Sequence, residues 1–224
     1  MGILETILLA LGAAWGSGIN LYGTALILGG LDHFGLISLP VALEVLSDPT
    51  VLGLALTLYL IEFVADKVPG LDSLWDIVHT FIRIPAGALL AAGAIQGLDD
   101  GSLGGALGIG SAFFGGALVA SLSHFLKAGT RAFANMSPEP FSNWGLSMLE
   151  DIALVIGLVL MVMLPVVFLV IIAMTLASAI FLLPRMWKGL IWLLKPSGEK
   201  NKLAAPEDKM KPVSLFPTGP DASL

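Results

Sequence analysis

Cysteine is absent from this sequence. That excludes disulfides, thiolate metal sites and a thiol nucleophile, without fixing a redox compartment. Charge is scarce too: 12% of residues are charged, where a soluble domain carries about a quarter. No Lys or Arg precedes the first apolar run, MGILETILLALGAAWGSG, which instead carries Glu5. The basic n-region of a signal peptide is therefore missing, and the run reads as a retained first span. Also missing are the HExxH, nucleophile-elbow and P-loop patterns that would announce a metalloprotease, a serine hydrolase or a nucleotide-binding enzyme.

What is present is apolar. Of 224 residues 56% are hydrophobic, and the mean hydropathy is +0.91. Such a chain belongs in a bilayer, where roughly 20 apolar residues make one crossing. Apolar segments at about 4–31, 50–67, 73–97, 103–131, 144–164 and 166–183 predict an all-α, polytopic transmembrane bundle of about six spans. Small residues punctuate the first segment at Gly16-Ser17-Gly18, followed by Asn20, and the fourth at Gly108 to Ser111 and at Gly115-Gly116. These let helices approach closely or let one unwind around a cavity. Leu36 to Pro49 reads as a short interfacial element, and Pro165 as either a turn between two spans or a kink in one, which would lower the count to five.

Seven of the eleven basic residues (Arg185, Lys188, Lys195, Lys200, Lys202, Lys209 and Lys211) follow the last span, which predicts a cytoplasmic C-terminus. Six spans put the Lys67–Ser73 and Asn135–Asn143 connections on the same side. The opposite loops carry Asp32, Glu44, Asp48, Asp99 and Asp100 and no base. The expected organisation is a transmembrane domain over 1–183, an interfacial amphipathic helix over 184–195 and a disordered cytoplasmic tail over 196–224.

The four remaining basic residues, Lys67, Arg83, Lys127 and Arg131, flank or enter spans. On the third segment Asp72, Asp76, His79 and Arg83 are spaced four, three and four, which places them on one helical face. Arg83 then lies about 16 Å along its helix, near mid-membrane. An unpaired charge there costs about 2.5 to 3.5 kcal/mol on insertion scales, so a partner is required, and Glu62 or Asp76 is within reach. Glu62 and Asp66 stand one turn apart on the second segment. The fourth repeats the arrangement with opposite sign in His124, Lys127, Arg131 and Asn135. Asn143, Ser147 and Asp151 share a stripe on the fifth, with Glu150 beside it. The acidic and basic pairs of helices are expected to neutralise each other.

The two regions align at an offset of 69, matching Ala65 with Ala134, Pro69 with Pro138, Ser73 with Ser142 and Trp75 with Trp144, with Asp66 opposite Asn135. Each unit would be a helix, a proline-containing turn and a helix, related by a pseudo-two-fold axis along the membrane normal.

Five stretches carry a family resemblance: SGINLY (17–22), LEVLSDP (43–49), EFVADKVPGLDSLWDIVHTFIR (62–83), AGALL (86–90) and KAGTRAFANMSPEPFSNWGLSMLED (127–151). Over about residues 10–195 the chain resembles the bacterial membrane proteins catalogued as domain of unknown function 4126. The resemblance implies an integral, multi-pass protein of a bacterial cytoplasmic (inner) membrane and supplies no catalytic residues.

Intramembrane ionisable residues point to function by default. The leading expectation is a transporter or channel for a small ion or polar solute. Glu62, Asp66, Asp76, His79, Arg83, His124, Lys127, Arg131, Asn135, Asn143 and Glu150 would line its vestibule. The alternatives are a lipid-directed enzyme using Asp76 and His79, and a structural or assembly protein whose charges are ion-pair locks. A divalent metal held by Asp72, Asp76, His79 and His124 is a variant of the first two, and no catalytic set or cofactor is implied. Expected partners are membrane lipids and a small ion or solute, with self-association left open. Nucleic acid is excluded because the bases lie in or beside the membrane.

Overall fold

The computed structural model describes residues 2–68, 70–98, 103–136 and 140–194. Asp99, Asp100, Pro69 and Pro138 of the proposed repeat, Lys195 and the tail over 196–224 lie outside the described residues. The chain divides into two units, Met1–Pro184 and Arg185–Leu224. The first is a helix bundle, and the described part of the second is helical.

Among the described residues six α-helices follow in order: α1 (Ile3–His33), α2 (Pro49–Ala65), α3 (Leu71–Gln96), α4 (Leu103–Ala134), α5 (Pro140–Met163) and α6 (Pro165–Leu194), with a 3-10 helix at Val41–Ser47 between the first two. Five of them, α1, α3, α4, α5 and α6, are long and apolar enough to cross a membrane. At 17 residues α2 spans only about 25 Å, short of the roughly 30 Å hydrocarbon core. It reaches a sixth crossing only together with the 3-10 helix, from which it is bent by 67°. The bend sits at Asp48-Pro49: the Asp48 carboxylate caps α2 by accepting from the Thr50 N–H at 2.7 Å, and Pro49 occupies the first turn, where its missing N–H costs nothing. The expected short element over Leu36–Pro49 is this 3-10 turn. It is tied to α1 through Asp32, which accepts from the Leu39 N–H at 2.8 Å and from the Ser47 hydroxyl.

At Pro165 the chain forms two helices, each long and apolar enough to cross a membrane. Leu164 is non-helical, α5 stops at Met163, and α6 begins at Pro165. Pro184 lies inside α6.

Helix α1 is the axis of the bundle, touching α2, α3, α4 and α5 and burying Leu8, Leu9, Ala13, Ala14, Trp15 and Leu28. Large apolar side chains such as Phe81, Leu89, Phe114, Leu118 and Val166 face outward, while Glu62, Asp72, Arg83, Arg131 and Ser147 are buried. An apolar exterior around a charged interior is the arrangement a bilayer demands. The protein is an integral, multi-pass membrane protein.

The two small-residue stretches behave differently. α4 runs unbroken through Gly108 to Gly116, and Gly116 serves contact: a Cβ there would collide with Ala91 and the Gly87 carbonyl of α3, whereas one at Gly110 or Gly115 would meet nothing within 4 Å. α1 does break, at Asn20, whose φ of −152° and ψ of 104° are extended.

Candidate functional site

The break in α1 follows from local hydrogen bonding. An asparagine side chain can replace the backbone as acceptor, and the Asn20 Oδ1 takes the Gly23 N–H at 2.8 Å. The Asn20 carbonyl accepts the Thr24 hydroxyl at 2.8 Å. With Gly23 engaged by a side chain, the Ile19 carbonyl is released from the helical ladder and receives the Lys127 ammonium at 2.9 Å. Ser123 of α4 reaches across to the Trp15 carbonyl at 3.0 Å. Ser17 donates to the Arg83 carbonyl at 2.8 Å, so α1 is bonded to both charged helices around its break.

The stripes on α3 and α4 meet face to face and run antiparallel. At the deep end, Arg83 donates to Glu62 at 2.7 Å and to Asp76 at 2.9 Å, and its NH1 lies 3.3 Å from His124 Nδ1. Arg83 and Glu62 are both fully buried. One turn along α4, Lys127 contacts Asp66 at 3.0 Å, Glu62 at 3.5 Å and Glu150 at 3.8 Å. A further turn along, Arg131 donates to the Asp66 carboxylate at 3.0 Å and carbonyl at 2.9 Å, grips Glu150 through Nε and NH2, and stands 3.9 Å from Asp72. At the far end, Asn135 donates to both Asp72 oxygens and to Ser73, each at 2.9 Å. Asp72 in turn anchors the start of α3, accepting from the Gly70 and Ser73 N–H groups at 2.8 and 2.6 Å. Gly70 has φ of +86°, a conformation that favours glycine.

The partners also set the histidine tautomers. Thr80 donates to the Asp76 carbonyl at 2.9 Å, so at 2.7 Å it accepts from His124 Nε2–H, and His124 Nδ1 offers Arg83 a lone pair. His79 donates through Nδ1 to the Trp75 carbonyl at 2.9 Å, and its Nε2 accepts from the Tyr22 hydroxyl at 3.1 Å. Trp75 stacks on His79 with ring centroids 4.3 Å apart.

Of the expected vestibule residues, Glu62, Asp66, Asp76, Arg83, His124, Lys127, Arg131, Asn135 and Glu150 fall into one connected network. His79 is turned toward Tyr22 and Trp75. Asn143 is buried, yet both its amide atoms lack a hydrogen-bond partner in the protein. Asp76 and His79 are not bonded to each other: Asp76 Oδ1 serves Arg83, and both imidazole nitrogens of His79 are engaged by Trp75 and Tyr22. Among the described residues no three His, Cys, Asp or Glu side chains converge as a metal site. Asp72 faces Asn135, His79 faces Tyr22 and Trp75, and Asp76 and His124 both face Arg83. The matched tryptophans also differ: Trp144 donates to the Lys67 carbonyl at 2.8 Å, while Trp75 Nε1 has no partner in the protein.

Sequence reasoning assigned no role to Ser17, the Ile19 carbonyl, Tyr22 or Thr80. The polar run Ser17, Asn20, Tyr22 and Thr24 inside an otherwise apolar span is the signal that marks Ser17 and Tyr22.

The network is over-supplied with acid. Five carboxylates (Glu62, Asp66, Asp72, Asp76 and Glu150) face three cations (Arg83, Lys127 and Arg131), an excess of two. Glu62 Oε2, Asp66 Oδ1 and Asp76 Oδ2 are buried with no partner in the protein. Four clefts open elsewhere, lined mainly by apolar residues such as Leu8, Leu43, Leu60 and Ala91, and none of the four is lined by a network residue.

No curated protein and no solved structure matches the chain. One family does, over residues 7–185. An apolar multi-pass bundle enclosing the charged motifs of 62–83 and 127–151 thus belongs to the family described as domain of unknown function (DUF4126).

Proposed function

We propose that this protein moves a small ion or polar solute across the membrane, and that the buried network is its pathway in an occluded arrangement. The excess of two carboxylates over cations carries this reading. Charges that serve only to lock helices are best balanced, since each unpaired buried ion costs several kcal/mol. A surplus of buried acid calls instead for protons or cations that come and go. The broken α1 supports the same reading, because helices interrupted inside a membrane turn released carbonyls toward ions. On the charge distribution, the Asn135 end of the network and the C-terminus face the cytoplasm.

Reconstitution into proteoliposomes tests the proposal. Flux of protons, alkali cations, divalent metals or common anions is measured for the native chain and for E62Q. Flux by the native chain that is largely lost in a folded E62Q is the expected result. A folded native chain that carries none of these under any gradient overturns it.

A second reading rests on the seal. Arg83, Glu62 and Arg131 are fully buried, and none of the four clefts reaches them. On this reading the protein is structural, its network an ion-pair lock. Native-state stability that depends on every pair, with no flux, is what it expects.

A further inference from the structure

The surroundings of Lys127 are those of a bound cation. Its ammonium sits among oxygens from three helices and their ends: the released Ile19 carbonyl of α1 at 2.9 Å, Asp66 at the C-cap of α2 and Glu62 within α2 at 3.0 and 3.5 Å, and Glu150 of α5 at 3.8 Å. Lysine itself comes from α4, so the four helices around it share one positive charge. Two features exceed what a lysine needs. The carbonyl is available only because α1 breaks at Asn20, which places extended backbone inside a span. Beside it, Glu62 and Asp66 are buried and each keeps one oxygen without a partner in the protein.

We infer that this cradle is a binding site for a small monovalent cation, and that Lys127 is a tethered competitor for it. The inference rests on the transport reading and names its substrate class. Lysine is a compact point charge on a flexible stem. Glu150, less buried than the other carboxylates of the site at 14% side-chain exposure, marks where the ammonium goes when it leaves Ile19, Glu62 and Asp66. A cation entering as lysine withdraws keeps the charge of the cradle constant, so exchange does not expose an uncompensated carboxylate. A monovalent ion suits the site better than a divalent one. A carbonyl and carboxylates spread around an ammonium are not drawn together as a divalent centre requires, and among the described residues no three His, Cys, Asp or Glu side chains are placed to hold a metal ion between them.

The test uses the full chain in lipid nanodiscs, with Lys127→Met keeping the stem and removing the charge. Thermal unfolding is followed in sodium, potassium, lithium or ammonium chloride against choline chloride at constant ionic strength. The native chain is expected to respond equally to all salts. K127M should gain a saturable rise of about 3 °C or more with at least one of the small cations, and K127M/D66N should lose it. A folded K127M that ignores every cation overturns the inference, as does a rise that survives D66N. If K127M folds poorly in choline, purification in each salt decides: recovery of a monodisperse helical protein in one small cation supports the site, and equal failure in all salts overturns it. The readout is binding at equilibrium. Cation-stabilised K127M with no flux by the native chain would sink the transport reading alone, and flux by the native chain with unresponsive K127M would sink the site alone.

Discussion

Helices α3 and α4 pair along their length, but the two halves of the pair are held by opposite means. From Gly87 to Ala94 the contact is made of small residues: Gly87, Ala88 and Ala91 face Gly116 and Ala120, and the buried surface carries no charge. From Asp72 to Arg83 the same two helices meet through carboxylates, guanidinium groups and imidazole. In lipid there is little hydrophobic force to press helices together, so association relies on close packing and on polar bonds. This pair uses packing in one half and polar bonds in the other. The packed half tolerates no added volume, and the charged half tolerates no lost partner. Only the charged half holds groups that can bind or release something.

That contrast can be broken in order of size. Replacing Arg83 by Met leaves Glu62 and Asp76 buried without their cation, and unfolding in mild detergent should show a loss of about 3 to 5 kcal/mol. An R83M variant that unfolds like the native chain would mean that the charged half contributes little to the fold. In the packed half, Gly116→Leu drives a side chain into Ala91 and the Gly87 carbonyl. A loss of about 1 to 3 kcal/mol is expected in the same assay, with the Arg83 network intact. Trp144→Phe removes one bond to the Lys67 carbonyl at a half-exposed site and should cost about 0.5 to 1.5 kcal/mol. A larger effect there would extend the charged half into the turn after α2.

Much of the charged half was legible before any coordinates. The four-three-four spacing of Asp72, Asp76, His79 and Arg83 and the three-four-four spacing of His124, Lys127, Arg131 and Asn135 can only be single faces of helices. A mid-membrane Arg83 had to find a carboxylate, and it finds both of the expected ones. Other features were not legible. Glycines in α1 and α4 look alike in sequence, yet only α1 breaks, because Asn20 supplies a side-chain acceptor at the right place and Lys127 takes up the carbonyl that is released. The spacing puts His79 on the stripe but cannot say that its ring turns to Tyr22, 57 residues away. Asn143 lies on the predicted stripe of α5, and nothing in the structure explains its two unpartnered amide atoms.

By itself, the sequence determined that the chain lives in a membrane, that its helices bury charge, and which charged residues share a face. These follow from composition and from the 3.6-residue period, which act locally. Tertiary structure alone decided that the charged motifs close into one acid-rich network with Lys127 at its centre. That outcome depends on three helices delivering oxygen atoms to one ammonium group, one of them a backbone carbonyl, and no side-chain pattern encodes where a broken helix will point its carbonyl.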